Sequence, residues 1–483
     1  MTQALPATFL KYAVHGAISL MLLASAGAAI SATPVAPAGL TPDTERAIDA
    51  IVAKSLAGSV VPSISLAIVK DGKLAYAKAY GDARLSPQVA ATSAMRYKIA
   101  SNSKQIAATA ILLLAQEHKL SLDDHVSRFF PKLTRANEVT VRQLLNHTSG
   151  YQDYYAVDYI APSLQREVTP QGILDIFATK PLDFDPGTRW QYSNTNYVII
   201  GRIIEKASGQ PLITFLRQRI LNKLGMSTAI DVNDEKLGPN DPDGHTHYAL
   251  GPVRQVAPEG KGWMWAAGEL AMTASDLAKW DISLIDGSIL QPASLKTLAT
   301  AINLNNGAST GYGLGLFVSQ LDNGHRRWTH TGGASGFLSV NTTYPDDRMA
   351  ITVLTNGEGT AQRQVAEEIE KLLLSPANDA QADASLARTR ALLAGLQKAK
   401  VDRSTVTDDL SGYFSSAVLA DFSASLAPLG EIASIKQTYM ESRGGMTYRI
   451  FTVEMSGKKN LKVAVYVKPD GRFDQYLVSD MPG

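Results

Sequence analysis

Between Tyr97 and Gln116 the chain reads YKIASNSKQIAATAILLLAQ, and from Ile106 onward its residues are apolar or small on every side of a helix. A helix without a polar face must be wrapped by other elements, so only its first turn can open on a cleft. At that mouth Ser101 and Lys104 stand three residues apart, one turn on one face, which brings the lysine head near the serine hydroxyl. A serine hydroxyl is a weak nucleophile until a base or a supporting cation stands beside it, and a helix N-terminus favours developing negative charge. A lysine stripped of water there leans toward the neutral amine, which can accept a proton. Spacing alone is equally met by an N-cap serine with a first-turn lysine. The chain holds such a decoy at Ser456 to Lys459, in EMSGKKN, where a turn joins two alternating, strand-like runs. The choice rests on what accompanies Ser101.

The chain is long enough for more than one domain, with 483 residues, 45% of them hydrophobic. Its formal net charge of +1 comes from interspersed acids and bases without a basic stripe, which argues against a nucleic-acid partner. The first 32 residues carry one lysine, an apolar stretch from Tyr12 to Ile30 and then small alternating residues, the pattern of a secretory signal peptide. Cleavage would fall after Ala26, Ala28 or Ala32; an uncleaved membrane anchor is the alternative reading of the same stretch. There is no cysteine, hence no disulfide, thiolate metal site or lipidation cysteine. The expectation is a periplasmic or secreted bacterial protein without stable membrane association once the signal is removed.

Residues 33–375 read as one α+β domain. TERAIDAIVAKSLAG is helical in period, SISLAIVKDGKLAYAKAYG is a hairpin around Asp71-Gly72, and a long helical insertion follows. Strands return at GYGLGLFVSQ, RRWTHTGGASGFLSVNTTYP and MAITVLTN, and the helix AEEIEKLLL closes the region. An antiparallel sheet flanked by helices and meeting a helical domain forms a cleft at the junction. Residues 376–387 read as a polar, Ala-rich linker. Residues 388–483 read as a small accessory α+β domain, helices followed by a strand meander, resembling the nuclear-transport-factor-2-like (NTF2-like) cone in element order. It carries no catalytic constellation and is expected to serve as an accessory or homo-oligomerising module.

Three further signals accompany Ser101. RWQYSNTNYVIIG places Tyr192 and Asn194 two apart ahead of a helical run, LLNHTSGY spans Leu144 to Tyr151, and WTHTGGASGF places His330, Thr331 and Gly332 on a strand followed by glycines. With Ser-x-x-Lys, the ordered set Tyr-x-Asn and His-Thr-Gly resembles the serine hydrolases of the class C β-lactamase and D-alanyl-D-alanine peptidase superfamily. The resemblance runs from about Leu40 to Leu374, with LSLDDHVSRFFP and AAGELAMTASDLAKW as further landmarks. It implies the β-lactamase/transpeptidase-like fold and an acyl-enzyme mechanism without cofactor or metal. Ser101 would be the nucleophile and Lys104 its activating partner. Tyr192 would complete the base, with either lysine or tyrosine as the immediate proton acceptor. Asn194, His330, Thr331 and Gly332 would bind substrate, and the amides of Ser101 and Gly333 would form the oxyanion hole.

Other residues take plainer readings. His147 is structural, and His245 with His247 could share a strand face but lack a third metal ligand. No Gly-x-Ser-x-Gly elbow occurs. Histidine at 330 replaces a lysine common in true class C β-lactamases, which lowers the expectation of efficient penicillin hydrolysis. Glu269 stands where relatives often carry a second glycine. The leading expectation is a hydrolase of a D-amino-acid peptide or a related small amide or ester. The alternatives are a class C-type β-lactamase and a catalytically silent penicillin-binding or sensor protein.

Overall fold

The computed structural model describes residues 39–156, 160–321, 323–374 and 382–481. The expected signal peptide, residues 1–32, lies outside them, as do residues 376–381 of the expected linker.

The helix Pro42–Ala57 starts at Thr41, whose side chain accepts from the Thr44 amide, with proline in the first turn. The hairpin Ser63–Lys70 and Lys73–Leu85 turns at Asp71 and Gly72, both with positive φ (53° and 74°), as a tight primed turn demands. Chain order then leaves the sheet and comes back to it. The sheet has seven antiparallel strands in the order Gln88–Ala90, Lys73–Leu85, Ser63–Lys70, Met349–Thr355, Phe337–Tyr344, Arg326–Ala334 and Phe317–Gln320. The first long strand therefore pairs with the last, Ile64 opposite Thr355 and Ile68 opposite Ile351. Both are buried nearly throughout, as central strands covered on two faces must be. One face packs against the Pro42–Ala57 and Ala361–Leu373 helices through Ile48, Val52, Val365 and Ile369. The other meets the helical insertion, where the Ser103–Gln116 helix is buried from Ser103 to Leu114 and so must be enclosed on every side. This matches the enclosure its sequence requires.

The segment GYGLGLFVSQ is strand only over Phe317–Gln320. Its glycines are the cause: Gly315, at φ 81°, lies so close to the Ser103–Gln116 helix that a Cβ would stand 2.8 Å from the Lys104 carbonyl oxygen. Past the sheet, the helix Ala382–Leu396 begins inside the stretch read as linker, so 382–387 is helical. Its alanines and leucines are strong helix formers, and Leu392, Leu393 and Leu396 bury one side of it. Two further helices precede a four-stranded antiparallel meander, Ile432–Arg443, Met446–Met455, Asn460–Val467 and Phe473–Asp480. The Ser456 to Lys459 decoy is the turn in that meander: Ser456 Oγ accepts from the Glu431 amide at 2.9 Å and Lys459 pairs with Asp480.

One buried acid ties the insertion to the sheet. Asp281, on the helix Ala274–Asp286, accepts from Asn341 Nδ2 (2.6 Å), Thr343 Oγ1 (2.8 Å) and Thr352 Oγ1 (3.3 Å), and burial raises its pKa to about 7. Removing it strands the Asn341 and Thr343 donors, while Thr352 keeps its bond to the Asn341 oxygen at 2.7 Å. Asp281→Ala should cost about 2–4 kcal/mol in urea unfolding, whereas a surface acid such as Asp175 should cost little when replaced.

Candidate active site

The turn that carries Ser101 is distorted. Ala100 has φ 48°, in the left-handed region, and opens a short 3₁₀ turn, Ala100–Asn102, ahead of the α-helix. Ser101 therefore sits on the turn before the helix and not within its first turn. Asn102 and Ser339 hold the turn to the sheet: Asn102 Nδ2 donates to Ser339 Oγ at 2.8 Å, which donates to the Ile99 carbonyl at 2.8 Å. Strand Arg326–Ala334 passes alongside at Gly332. A Cβ there would lie 2.3 Å from the Ile99 oxygen and 3.0 Å from Ala100 Cβ, so this approach is open only to glycine. The neighbouring Gly333 is exposed beside Ser101's turn, which suits the amide pair expected as an oxyanion hole.

Lys104 has no solvent exposure. Its Nζ donates to the Asn194 side-chain oxygen at 2.8 Å and to the Ala267 carbonyl at 2.5 Å, and lies 3.0 Å from Ser101 Oγ. Two of the three partners can only accept. A neutral amine placed there gives its two protons to them and keeps its lone pair for the serine. Desolvation lowers the Lys104 pKa to about 7, against the pull of Asp153 and, in its ionised form, of Glu269. Tyr192 keeps part of its ring open to the cleft and bonds to Ser101, but burial pushes its phenol well above the ordinary value. Between the two candidate bases, lysine is the one whose basic form is populated near neutrality.

Asn194 starts the helix Asn194–Ser208, and its role is more occupied than the sequence implies. Its oxygen serves Lys104, and its amide nitrogen donates to Asp153 at 3.1 Å, leaving at most one N–H for a substrate. Asp153 also accepts from the Asn194 backbone at 2.9 Å. Sequence reading missed Asp153, which lies in GYQDYY with no spacing to mark it. It also missed Tyr312, read only as part of a strand.

His330 differs from expectation. Its side chain is buried behind Tyr192, not open to a substrate. Nδ1 faces the Thr331 carbonyl at 2.6 Å and so carries the proton, while Nε2 accepts from the Tyr312 hydroxyl at 3.0 Å. Burial and the Lys104 charge lower its pKa to about 3. Its neighbour Thr331, on the opposite face of the strand, is part-exposed. His147 lies at φ 62°, stacks on Tyr192 at 4.3 Å between ring centroids, and takes the Ser193 amide on Nδ1 at 3.2 Å. It braces the tyrosine. His245 and His247 do not share a strand face, because the strand ends at Thr246; His245 faces the Asn356 carbonyl and His247 that of Ala249.

A cavity of about 660 Å³ has Lys98, Met264, Ser335 and Phe337 in its wall, while Ser101, Lys104, Tyr192 and Asn194 do not line it. Lys98 crosses its wall, donating to Ser335 Oγ at 2.9 Å and pairing with the buried Glu259 at 3.4 Å. The chain thus brings an enclosed lysine within hydrogen-bond reach of a serine on a distorted turn, next to the first residue of a helix.

The profile of the Beta-lactamase family matches residues 48–374, and the chain belongs to that family. It is a serine hydrolase of the penicillin-binding and β-lactamase superfamily. Penicillin-binding protein 4* of Bacillus subtilis (strain 168) is 29% identical over 312 residues, 61% of this chain and 68% of that protein. The crystal structure of D-amino acid amidase from Ochrobactrum anthropi SV3 complexed with D-phenylalanine superposes with TM-score 0.62 at 26% identity, over 68% of this chain and 98% of that one. The octameric penicillin-binding protein homologue from Pyrococcus abyssi shares the fold over 90% of this chain and 99% of its own, with TM-score 0.61 and 22% identity.

Two substitutions test the geometry. Gly332→Ala should slow covalent labelling of Ser101 by a fluorophosphonate about 100-fold with little loss of fold, because the strand must move off the nucleophile turn. His330→Lys should lower the thermal midpoint and give no gain in nitrocefin turnover, since it forces a cation into an enclosed position. A stable variant with improved turnover would show that residue 330 reaches the substrate.

Proposed function

We propose that this protein is an exported hydrolase that forms an acyl-enzyme on Ser101 and acts on a D-amino-acid peptide or a related small amide or ester. The observation that carries the reading is Lys104 Nζ, enclosed between two pure acceptors and 3.0 Å from Ser101 Oγ. Neutral Lys104 takes the serine proton as Oγ adds to the substrate carbonyl. The oxyanion is received by the amides of Ser101 and Gly333, each such donor being worth about 2.7–4 kcal/mol. Tyr192, protonated throughout the neutral range and bonded to Ser101, is placed to pass a proton to the departing nitrogen or oxygen. The Lys104 ammonium then returns its proton to the Tyr192 phenolate, so that water attacks the ester with neutral Lys104 again as base and that proton leaves with Ser101 Oγ. Thr331 and the remaining Asn194 N–H hold the substrate amide, and His330 acts through Tyr312 and the tyrosine cluster without touching the substrate.

The D-amino-acid preference rests on the D-amino acid amidase and penicillin-binding protein similarities, together with His330, which leaves the third motif without the cation that would hold a β-lactam carboxylate. Export rests on the apolar Tyr12–Ile30 stretch and its small-residue flank, which lie outside the described residues. Among the described residues no helix is long and apolar enough to cross a membrane. The domain from about 388 is an accessory module, since every motif residue precedes 375.

Labelling of Ser101 should rise with pH through a midpoint near 7, as Lys104 sheds its proton. Ser101→Ala should abolish labelling, and Lys104→Ala should slow it by about 10²–10⁴-fold. The substrate is tested with D- and L-alanine amide, acetyl-Lys-D-Ala-D-Ala, p-nitrophenyl butyrate and nitrocefin side by side. Faster turnover of the D-amide or D-peptide is expected, and rapid steady nitrocefin hydrolysis alone would overturn the assignment.

A further inference from the structure

Glu269 is fully buried, and no side chain bonds to either carboxyl oxygen; the amides of Gly268 and of Glu269 itself lie near enough to favour the carboxylate but not in hydrogen-bond geometry. Buried carboxyls are normally paired, so an orphan of this kind calls for a function that outweighs its burial. Its flanks are pinned to the nucleophile. Two residues before it, the Ala267 carbonyl accepts from Lys104 Nζ; Gly268 is close enough that a Cβ would lie 3.2 Å from the Ala100 carbonyl carbon; and Leu270 bonds at 3.2 Å to Ser103 Oγ and at 3.0 Å to the Ile99 amide. Glu269 is thereby fixed between residues that grip both ends of the Ser101 turn.

We propose that Glu269 is a positioning residue acting through Lys104, its carboxyl being the internal counter-charge that stabilises the lysine when it takes the serine proton. The inference rests on the acyl-enzyme reading above. Of the two acids acting on Lys104, Asp153 exerts the larger pull and Glu269 adds to it. Asp153, the other acid acting on Lys104, is bonded to Asn194; Asp231, on the strand beside Glu269, is bonded to Asn233; and His147 and His330 are held neutral by burial. Burial and the Asp231 charge raise the Glu269 pKa to about 8, with Lys104 pulling it back, so the two groups titrate as a pair across neutrality.

The sign follows. Well below pH 8 Glu269 is a neutral acid and gives Lys104 no charge. Above about pH 8 it is a carboxylate, which makes Lys104 a stronger acceptor for the serine proton and speeds acylation. The parent should therefore show a second rise in Ser101 labelling above the one due to Lys104, and Glu269→Gln should lack it.

The experiment measures fluorophosphonate labelling rates of the full chain against pH for the parent, Glu269→Gln and Glu269→Asp. The expected parent-to-Gln ratio is about 1 near pH 6 and several-fold by about pH 9.5, with Glu269→Asp retaining most of the rise. A carboxyl that only shapes the fold would alter all rates equally or none, so a flat ratio in folded Glu269→Gln overturns the proposal. If Glu269→Gln does not fold, a parent profile with a single step overturns it on its own. A parent in which Ser101 does not label removes the acyl-enzyme reading and this one with it, whereas a labelled parent with a flat ratio removes Glu269 alone.

Discussion

Lys104 is a lysine without water, and the architecture around it can be understood from that. Burying an ammonium ion costs far more than burying an amine, so a lysine enclosed by the sheet, the Ser103–Gln116 helix and the 261–272 segment is driven toward its basic form. The enclosure gives the amine two acceptors, from Asn194 and Ala267, and leaves one direction for its lone pair, which is occupied by Ser101. Base strength and orientation thus follow from the same packing.

That packing needs segments distant in sequence to approach the Ser101 turn more closely than side chains allow. They do so at glycines. Gly315 reaches the Lys104 carbonyl and Gly332 the Ile99 carbonyl at distances where a Cβ would collide, and at Gly268 a Cβ would crowd the Ala100 backbone at 3.2 Å. The strained φ of Ala100 belongs to the same arrangement, holding the serine turn proud of the helix it precedes. The long antiparallel strands make this precision affordable, because Ser63–Lys70 and Met349–Thr355 bring the two ends of the domain together in fixed register.

Much of this was legible in the residues. The all-round apolar character of IAATAILLLA required a central helix, the Asp71-Gly72 hairpin was readable from its turn chemistry, and the short motifs named Ser101, Lys104 and Asn194, which the fold brings within hydrogen-bond reach of one another. What remained hidden depended on burial that no local pattern encodes. His330 carries the same motif whether it faces a substrate or a tyrosine, and only the strand's register against Tyr312 decides. Asp153 has no periodic partner, because its function is to hold Asn194 across 41 residues of chain. The extent of the second-domain helix was misjudged because an Ala-rich polar stretch has no apolar stripe until Leu392 and Leu393 supply one.

The central claim is the charge state of one amine, and it can be observed without any substrate. Nuclear magnetic resonance of the full chain with 13C at lysine Cε, assigned by Lys104→Arg, follows that amine directly through a titration. The account predicts that the Lys104 resonance shifts between its charged and neutral positions around pH 7, well below the other lysines. A Lys104 resonance that stays in the ammonium position up to about pH 9 would contradict it, because the enclosed residue would then be a permanent cation and could not be the base.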